Sequence, residues 1–227
     1  MSFCERYSLA RLVGEQVHAI PLRCRTWPCE YCGPQRRRQL IAQVIAGAPT
    51  AVLTLTSNPA IGLSPAHRCW MMKKALPELM RRAAARAGIE KIEYMAFPEL
   101  TKHGEPHLHI PLRGPYIDQA WLARTWKALT GAYIVWIEKL DGPGRAARYV
   151  AKYVTKGPAR FGRGKRYWGT RNYAPGWTPE KPVMDAWEPP WVRIEKSLDE
   201  YVRHAEGLGW WVAWERDMAI LTYGRPP

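Results

Sequence analysis

The chain reads as an α+β protein built on a mostly antiparallel sheet. Helix-like and strand-like periods alternate between residues 34 and 157, the strand-like runs are short, and turn residues join them. Its 227 residues, 47% of them hydrophobic, suffice for one substantial core with a small appendage.

Pro34 to Ala46 follows Gly33 and reads as a helix with proline near its first turn. Ala51 to Thr56 (AVLTLT) is a strand closed by Ser57-Asn58-Pro59. Ser64-Pro65 opens a long helix to about Ala87, with Leu76, Leu79 and Met80 inward and Gly88 as its stop. Pro77 inside it predicts a kink or a split. Lys91 to Phe97 and His107 to Leu112 form a hairpin through the turn at Thr101 to Glu105. Asp118 caps an amphipathic helix to Thr130 whose inner face is Trp121, Leu122, Trp126 and Leu129. Tyr133 to Leu140 is a strand, Asp141 to Gly144 a turn, and Arg145 to Lys156 a helix.

The flanks are less regular. Residues 1–33 show few periodic apolar positions, and 158–190, rich in Gly, Pro, Arg and aromatics, predict mostly irregular loop. Glu195 to Ala205 predicts one more helix, and Trp210 to Tyr223 either a pair of strands or a packed helix. The expected division is 1–47 (cysteine-rich element and basic helix), 48–157 (core) and 158–227 (an extension packing on the core).

A net charge of +14 and a pI near 9.8 point to a polyanionic partner, nucleic acid above all. Twelve Trp and 11 Tyr add ring faces on which single-stranded bases stack. Residues 1–10 lack the apolar run of an export signal, and no stretch of about twenty apolar residues suggests a membrane span. The expectation is a cytoplasmic protein, in the host cytoplasm if viral, whose five cysteines serve as metal ligands or free thiols.

Alternate residues of a strand share a face, so His107 and His109 point the same way with Leu108 opposite. Glu99, at the end of the preceding strand, folds back toward them as a third ligand; His103 in the turn competes for that role. Two imidazoles and a carboxylate suit manganese, magnesium or zinc, with positions left for a phosphate oxygen. A His-x-His pair by itself is more often an exposed strand face, and the neighbouring acid and downstream tyrosines reverse those odds.

Residues four apart on a helix lie roughly 40° apart around the axis and three apart roughly 60°, so Tyr149, Lys152 and Tyr153 share one side. A phenol ionises near pH 10 and is a weak nucleophile at neutrality. An adjacent ammonium and a polarised phosphate would help it attack.

In chain order these motifs resemble the His-hydrophobic-His (HUH) endonuclease superfamily, in the two-tyrosine form of rolling-circle replication initiators of single-stranded DNA phages, viruses and plasmids. Val52 to Thr56 resembles the first motif strand, Glu99 with His107-Leu-His109 the metal motif, and Tyr149-Val-Ala-Lys-Tyr153 the two-tyrosine motif. The resemblance spans roughly residues 48–157. It implies a five-stranded antiparallel sheet of RNA-recognition-motif-like topology, with the histidines on central strands and the tyrosines on a facing helix. It also implies a Mn²⁺ or Mg²⁺ site at Glu99, His107 and His109. Tyr149 would be first nucleophile, Tyr153 second and Lys152 their assistant, nicking single-stranded or melted origin DNA through a 5′-phosphotyrosine. No Gly-x-x-x-x-Gly-Lys-Ser/Thr loop occurs in the sequence, so unwinding and synthesis fall to a separate helicase and polymerase of the host.

Cys24, Cys29 and Cys32, with Cys4 or less readily His18 as the fourth, have the residue types of a structural zinc site; a reduced cysteine cluster is the alternative. Cys69 reads as a buried small hydrophobe. Arg36, Arg37 and Arg38 could meet phosphates. Arg160, Arg163, Lys165, Arg166 and Arg171 interleave with aromatics such as Trp168, a mixture suited to a single-strand path. The resulting expectation is a metal-dependent DNA nicking and joining enzyme. Its rivals are a two-tyrosine transposase and a non-catalytic, zinc-containing nucleic-acid-binding regulator.

Overall fold

The computed structural model describes residues 4, 6–142, 145, 148–149, 152, 159–161, 165–177 and 190–224. Elements run in the order β1 (Ser8–Val13), β2 (Gln16–Pro21), α1 (Cys32–Ala46), β3 (Ala51–Thr56), α2 (Pro65–Arg86), β4 (Glu93–Leu100) and β5 (Pro106–Arg113). There follow α3 (Gln119–Thr130), β6 (Val135–Lys139), β7 (Trp168–Gly169), β8 (Val192–Ile194), α4 (Leu198–Gly207), β9 (Trp210–Glu215) and β10 (Met218–Tyr223). The fold is α+β, with two antiparallel five-stranded sheets and four helices among the described residues. Two compact units divide the chain: Arg37–Trp177, and Met1–Arg36 with Thr178–Pro227.

The sheet of the 37–177 unit runs β6-β3-β5-β4-β7. One face carries Leu53, Leu55, Leu108, Ile110, Leu112, Val135 and Ile137 into a core shared with α2 and α3. Ser64 caps α2 by accepting from the His67 amide, and Leu76, Leu79 and Met80 are buried as their spacing predicts. Pro77 does not split the helix: it lies on the exposed face, and α2 runs unbroken from Pro65 to Arg86. Asp118 caps α3, Leu122 and Trp126 are fully buried, and Trp121 and Leu129 pack against the core. The Trp126 indole donates to the Thr56 carbonyl at 2.9 Å, which ties α3 to the end of β3. Within 158–190, expected as loop, Trp168–Gly169 form a two-residue strand on β4.

The other unit holds the sheet β8-β1-β2-β10-β9, which the sequence reading did not anticipate. Residues 1–33, read as aperiodic, contain the β1–β2 hairpin, turned at Gly14 with φ 60°. Trp210 to Tyr223 is resolved as the hairpin β9–β10. Ala10, Ala19, Ala219 and Leu221 pack beneath Leu198, Val202 and Ala205 of α4. Ser197 and Glu200 close a reciprocal capping box at the start of α4. No helix among the described residues is long and apolar enough to cross a membrane.

Candidate active site and candidate metal centre

The face of the 37–177 sheet opposite the core is polar at its centre because the strands alternate. Leu53 and Leu55 turn inward, so Thr54 turns outward, directly across from His109 on β5. Thr56 stands across from His107, and Glu99 on β4 is the register partner of His107 on its other side. The hairpin turn between the acid and the histidines is pinned at Glu105. Its carboxylate pairs with the buried Arg68 guanidinium of α2 and accepts from the Ser57 hydroxyl at 3.4 Å. Arg68 also donates to the Leu63 carbonyl.

Glu99 and His109 meet at 2.8 Å between Oε2 and Nε2. The opposite nitrogen of the same ring, Nδ1, lies 3.3 Å from the Thr54 hydroxyl and 3.4 Å from the Tyr149 hydroxyl. Thr54 and Tyr149 are themselves 3.3 Å apart. A carboxylate, an imidazole, a threonine hydroxyl and a phenol therefore form one connected cluster. His109 is buried at 6% exposure, while Tyr149 is half-buried beside Val52 and Leu140. Burial lowers the His107 pKa from the ordinary 6.5, against the opposing pull of Glu99 and Glu105. At neutral pH its ring is uncharged and offers a lone pair.

Two nitrogens and one carboxylate on a single sheet face are donor types that fit a divalent cation. The pair Glu99–His109 is already in contact, whereas the ring centroids of His107 and His109 are 6.4 Å apart. Among the described residues the four cysteines are the one such group whose ligand atoms all lie within 4.8 Å of one another, so His107 stands farther out. His103 lies exposed in the turn.

Tyr149 has helical backbone, as do Arg145, Arg148 and Lys152. Lys152 is exposed; Tyr153 lies outside the described residues. Arg145 reaches back to the sheet edge, 2.7 Å from Glu138 on β6.

The cysteines converge in the other unit. Sγ of Cys4 and Cys32 are 3.5 Å apart and those of Cys24 and Cys32 3.9 Å, near the separation of about 3.8 Å that zinc–sulfur bonds of about 2.3 Å set on a tetrahedron. Backbone amides point at the sulfurs: Cys24 N–H at Cys4 (3.1 Å), Arg25 N–H at Cys32 (3.3 Å) and Cys32 N–H at Cys29 (3.4 Å). Such donors stabilise thiolates. The four-cysteine cluster could hold zinc, and Cys4, not His18, completes it.

The basic residues have varied surroundings. Arg36 donates to the Arg25 carbonyl at 2.6 Å and lies over Trp27, bracing the cysteine loop. Arg37 is half-buried, and Arg38 is exposed. Arg160, Lys165 and Arg171 are exposed and Arg166 is half-buried; Arg163 lies outside the described residues. Trp168 packs on the core with Lys73 over its ring, so its indole is engaged within the fold.

Thr54 is the site residue that the motif reading passed over. The alternation of AVLTLT places it outward, and the register to His109 gives it its neighbours. Residues 50–158 match the model of a family of replication-associated proteins, described by its member ORF2. No curated protein and no solved structure matches the chain. The stretch that carries β3, the two histidines and Tyr149 is thus similar to replication-associated proteins, and the likeness supports a replication-initiator family.

Proposed function

We propose that the chain is a metal-dependent, site-specific single-stranded DNA endonuclease and strand transferase that initiates rolling-circle replication. The observation that carries this reading is the approach of the Tyr149 hydroxyl to His109, whose far nitrogen meets Glu99. The match to replication-associated proteins over the same residues supports it.

The residues have separable tasks. With His109 Nε2–H donating to Glu99, the Nδ1 lone pair faces the phenol and can receive its proton. Thr54 hydrogen-bonds both groups and holds the phenol against the ring. The Tyr149 oxygen attacks phosphorus, a new P–O bond to the phenol forms, and the bond from phosphorus to the 3′ oxygen breaks. The departing oxygen takes a proton to become a 3′ hydroxyl, and the 5′ phosphate remains esterified to Tyr149. A divalent ion held by Glu99, His107 and His109 would supply Lewis-acid polarisation of the phosphate. Lys152, exposed on the same helical stretch, offsets negative charge near the site. Tyr153 gives the motif a second nucleophile for the joining transfer.

The substrate in this reading is single-stranded or melted origin DNA, with unwinding and synthesis supplied by separate proteins of the host. The cysteine cluster is structural, as zinc that links Cys4 to Cys24–Cys32 would fix the loop after β2. The test is incubation of the full chain with a random-sequence single-stranded DNA pool and Mn²⁺. A DNA–protein adduct that survives denaturation and disappears in the Tyr149→Phe, Tyr153→Phe double variant is expected. An adduct undiminished in that variant would overturn the nucleophile assignment, and no adduct would favour a binding protein.

A further inference from the structure

The catalytic face extends one strand beyond Thr54. Among the described residues β6 is an edge strand paired only with β3, and its residue Trp136 is the register partner of Thr54. Val135 and Ile137 turn into the core, so Trp136 shares a face with Thr54 and His109. The four strands thus carry one row: Trp136, Thr54, His109 and Phe97. Facing side chains on paired strands sit with Cβ atoms about 5 Å apart, which places the Trp136 stem about 10 Å from that of His109.

Trp136 is 60% exposed although it is a large ring beside a buried cluster. Ile134, two residues earlier on the same face, is also 60% exposed, and Tyr133 is 63% exposed. An apolar, aromatic ridge left open along one edge of a polar site is a surface that a ligand covers. Its surroundings are cationic. Arg145 is ion-paired with Glu138 of the same strand, and Arg148 and Lys152 are exposed on the stretch that carries Tyr149. Ring faces beside cations match a single strand, whose bases stack while its phosphates seek positive charge.

We propose that Trp136, flanked by Ile134, is the stacking platform for a nucleobase of the single strand next to the scissile phosphate. Trp136 is a positioning residue: it fixes the base so that the adjoining phosphate lies over Thr54, His109 and Tyr149. This assignment rests on the phosphodiester-cleaving reading above, and it supplies a contact that tolerates any base.

The test compares the full chain with its Trp136→Ala and Trp136→Phe variants. Two 5′-fluorescein-labelled oligonucleotides of about twelve residues serve as probes, oligo(dT) and an abasic strand with the same number of phosphates. Fluorescence anisotropy without added metal reads the binding. The parent should prefer oligo(dT), and Trp136→Ala should lose about five- to hundredfold of that preference while binding the abasic strand as before. Trp136→Phe should retain most of it. An unchanged preference in Trp136→Ala, equal binding of both strands by the parent, or no binding overturns the platform. So does a parent dimer that the alanine variant abolishes, since the ridge would then join two copies through β6. Adduct formation by the parent on the random pool separates the two readings. Adduct with an unchanged preference removes only the platform, whereas absence of adduct removes the cleavage reading.

Discussion

Oε2 of Glu99 lies 2.8 Å from Nε2 of His109, and this contact joins β4 to β5. It orients the ring so that Nδ1 faces Thr54 and Tyr149. A carboxylate at this position both selects the tautomer and supplies an anionic metal ligand. Glu99→Gln keeps the size and loses both effects. Mn²⁺ affinity, measured by calorimetry, should weaken at least about tenfold, with a fall in DNA nicking. Unaltered affinity would show that Glu99 is not a ligand.

Thr54 gives a milder prediction. Thr54→Val keeps the β-branched shape in the strand and removes the hydroxyl between His109 and Tyr149. Adduct formation should slow by about tenfold, the equivalent of one lost hydrogen bond of ordinary strength, while Mn²⁺ affinity stays at the parent value. Isotherms and single-turnover adduct yields check the two halves separately.

Gly47 lies against the ring of Tyr173, and a Cβ there would come within 2.1 Å of the ring edge. The ring has little room to yield: Tyr173 is 1% exposed and its hydroxyl donates to the Val44 carbonyl at 3.1 Å. Gly47→Ala should cost about 1–3 kcal/mol in urea unfolding, and Tyr173→Phe about 1 kcal/mol. Burial raises the Tyr173 pKa above the ordinary 10.0, partly opposed by Arg113. The unfolded chain therefore loses this proton first, and the stability it contributes below about pH 10 declines as pH rises past that value. Tyrosinate absorbance against pH reads this directly.

Zinc analysis should find one ion per chain, lost in Cys32→Ser together with thermal stability of the unit formed by 1–36 and 178–227. Burial pushes the Cys69 thiol up to about 11, with Lys73 as a weaker opposing influence. In the native protein at about pH 8 it should resist alkylation, and peptide mapping after iodoacetamide treatment checks that.

Much of the 37–177 unit was legible because local signals agree. Ser64, Asp118 and the Leu76–Leu79–Met80 spacing define helices through caps and period, and the His-Leu-His alternation places both rings on one face. The second sheet was not, because its pairing is non-local: Ala19 of β2 meets Ala219 of β10 across most of the chain. Arg11 and His18, partners on one face of the β1–β2 hairpin, also break the apolar alternation that marks a strand. Pro77 misled because a proline on the exposed side of a long helix costs a hydrogen bond without separating the packed turns. Within the site, the motif identified the metal-ligand and nucleophile types. The parts played by Thr54 and Trp136 emerge only from register, since nothing in their local sequence distinguishes them from other strand residues.

The most direct measurement is mass spectrometry of the denaturation-resistant adduct after protease and nuclease digestion. The account predicts a 5′-nucleotide joined through phosphate to Tyr149, with Tyr153 labelled only where a second transfer has occurred. A nucleotide on any other residue, or DNA cleaved with no protein-bound phosphate, would contradict it.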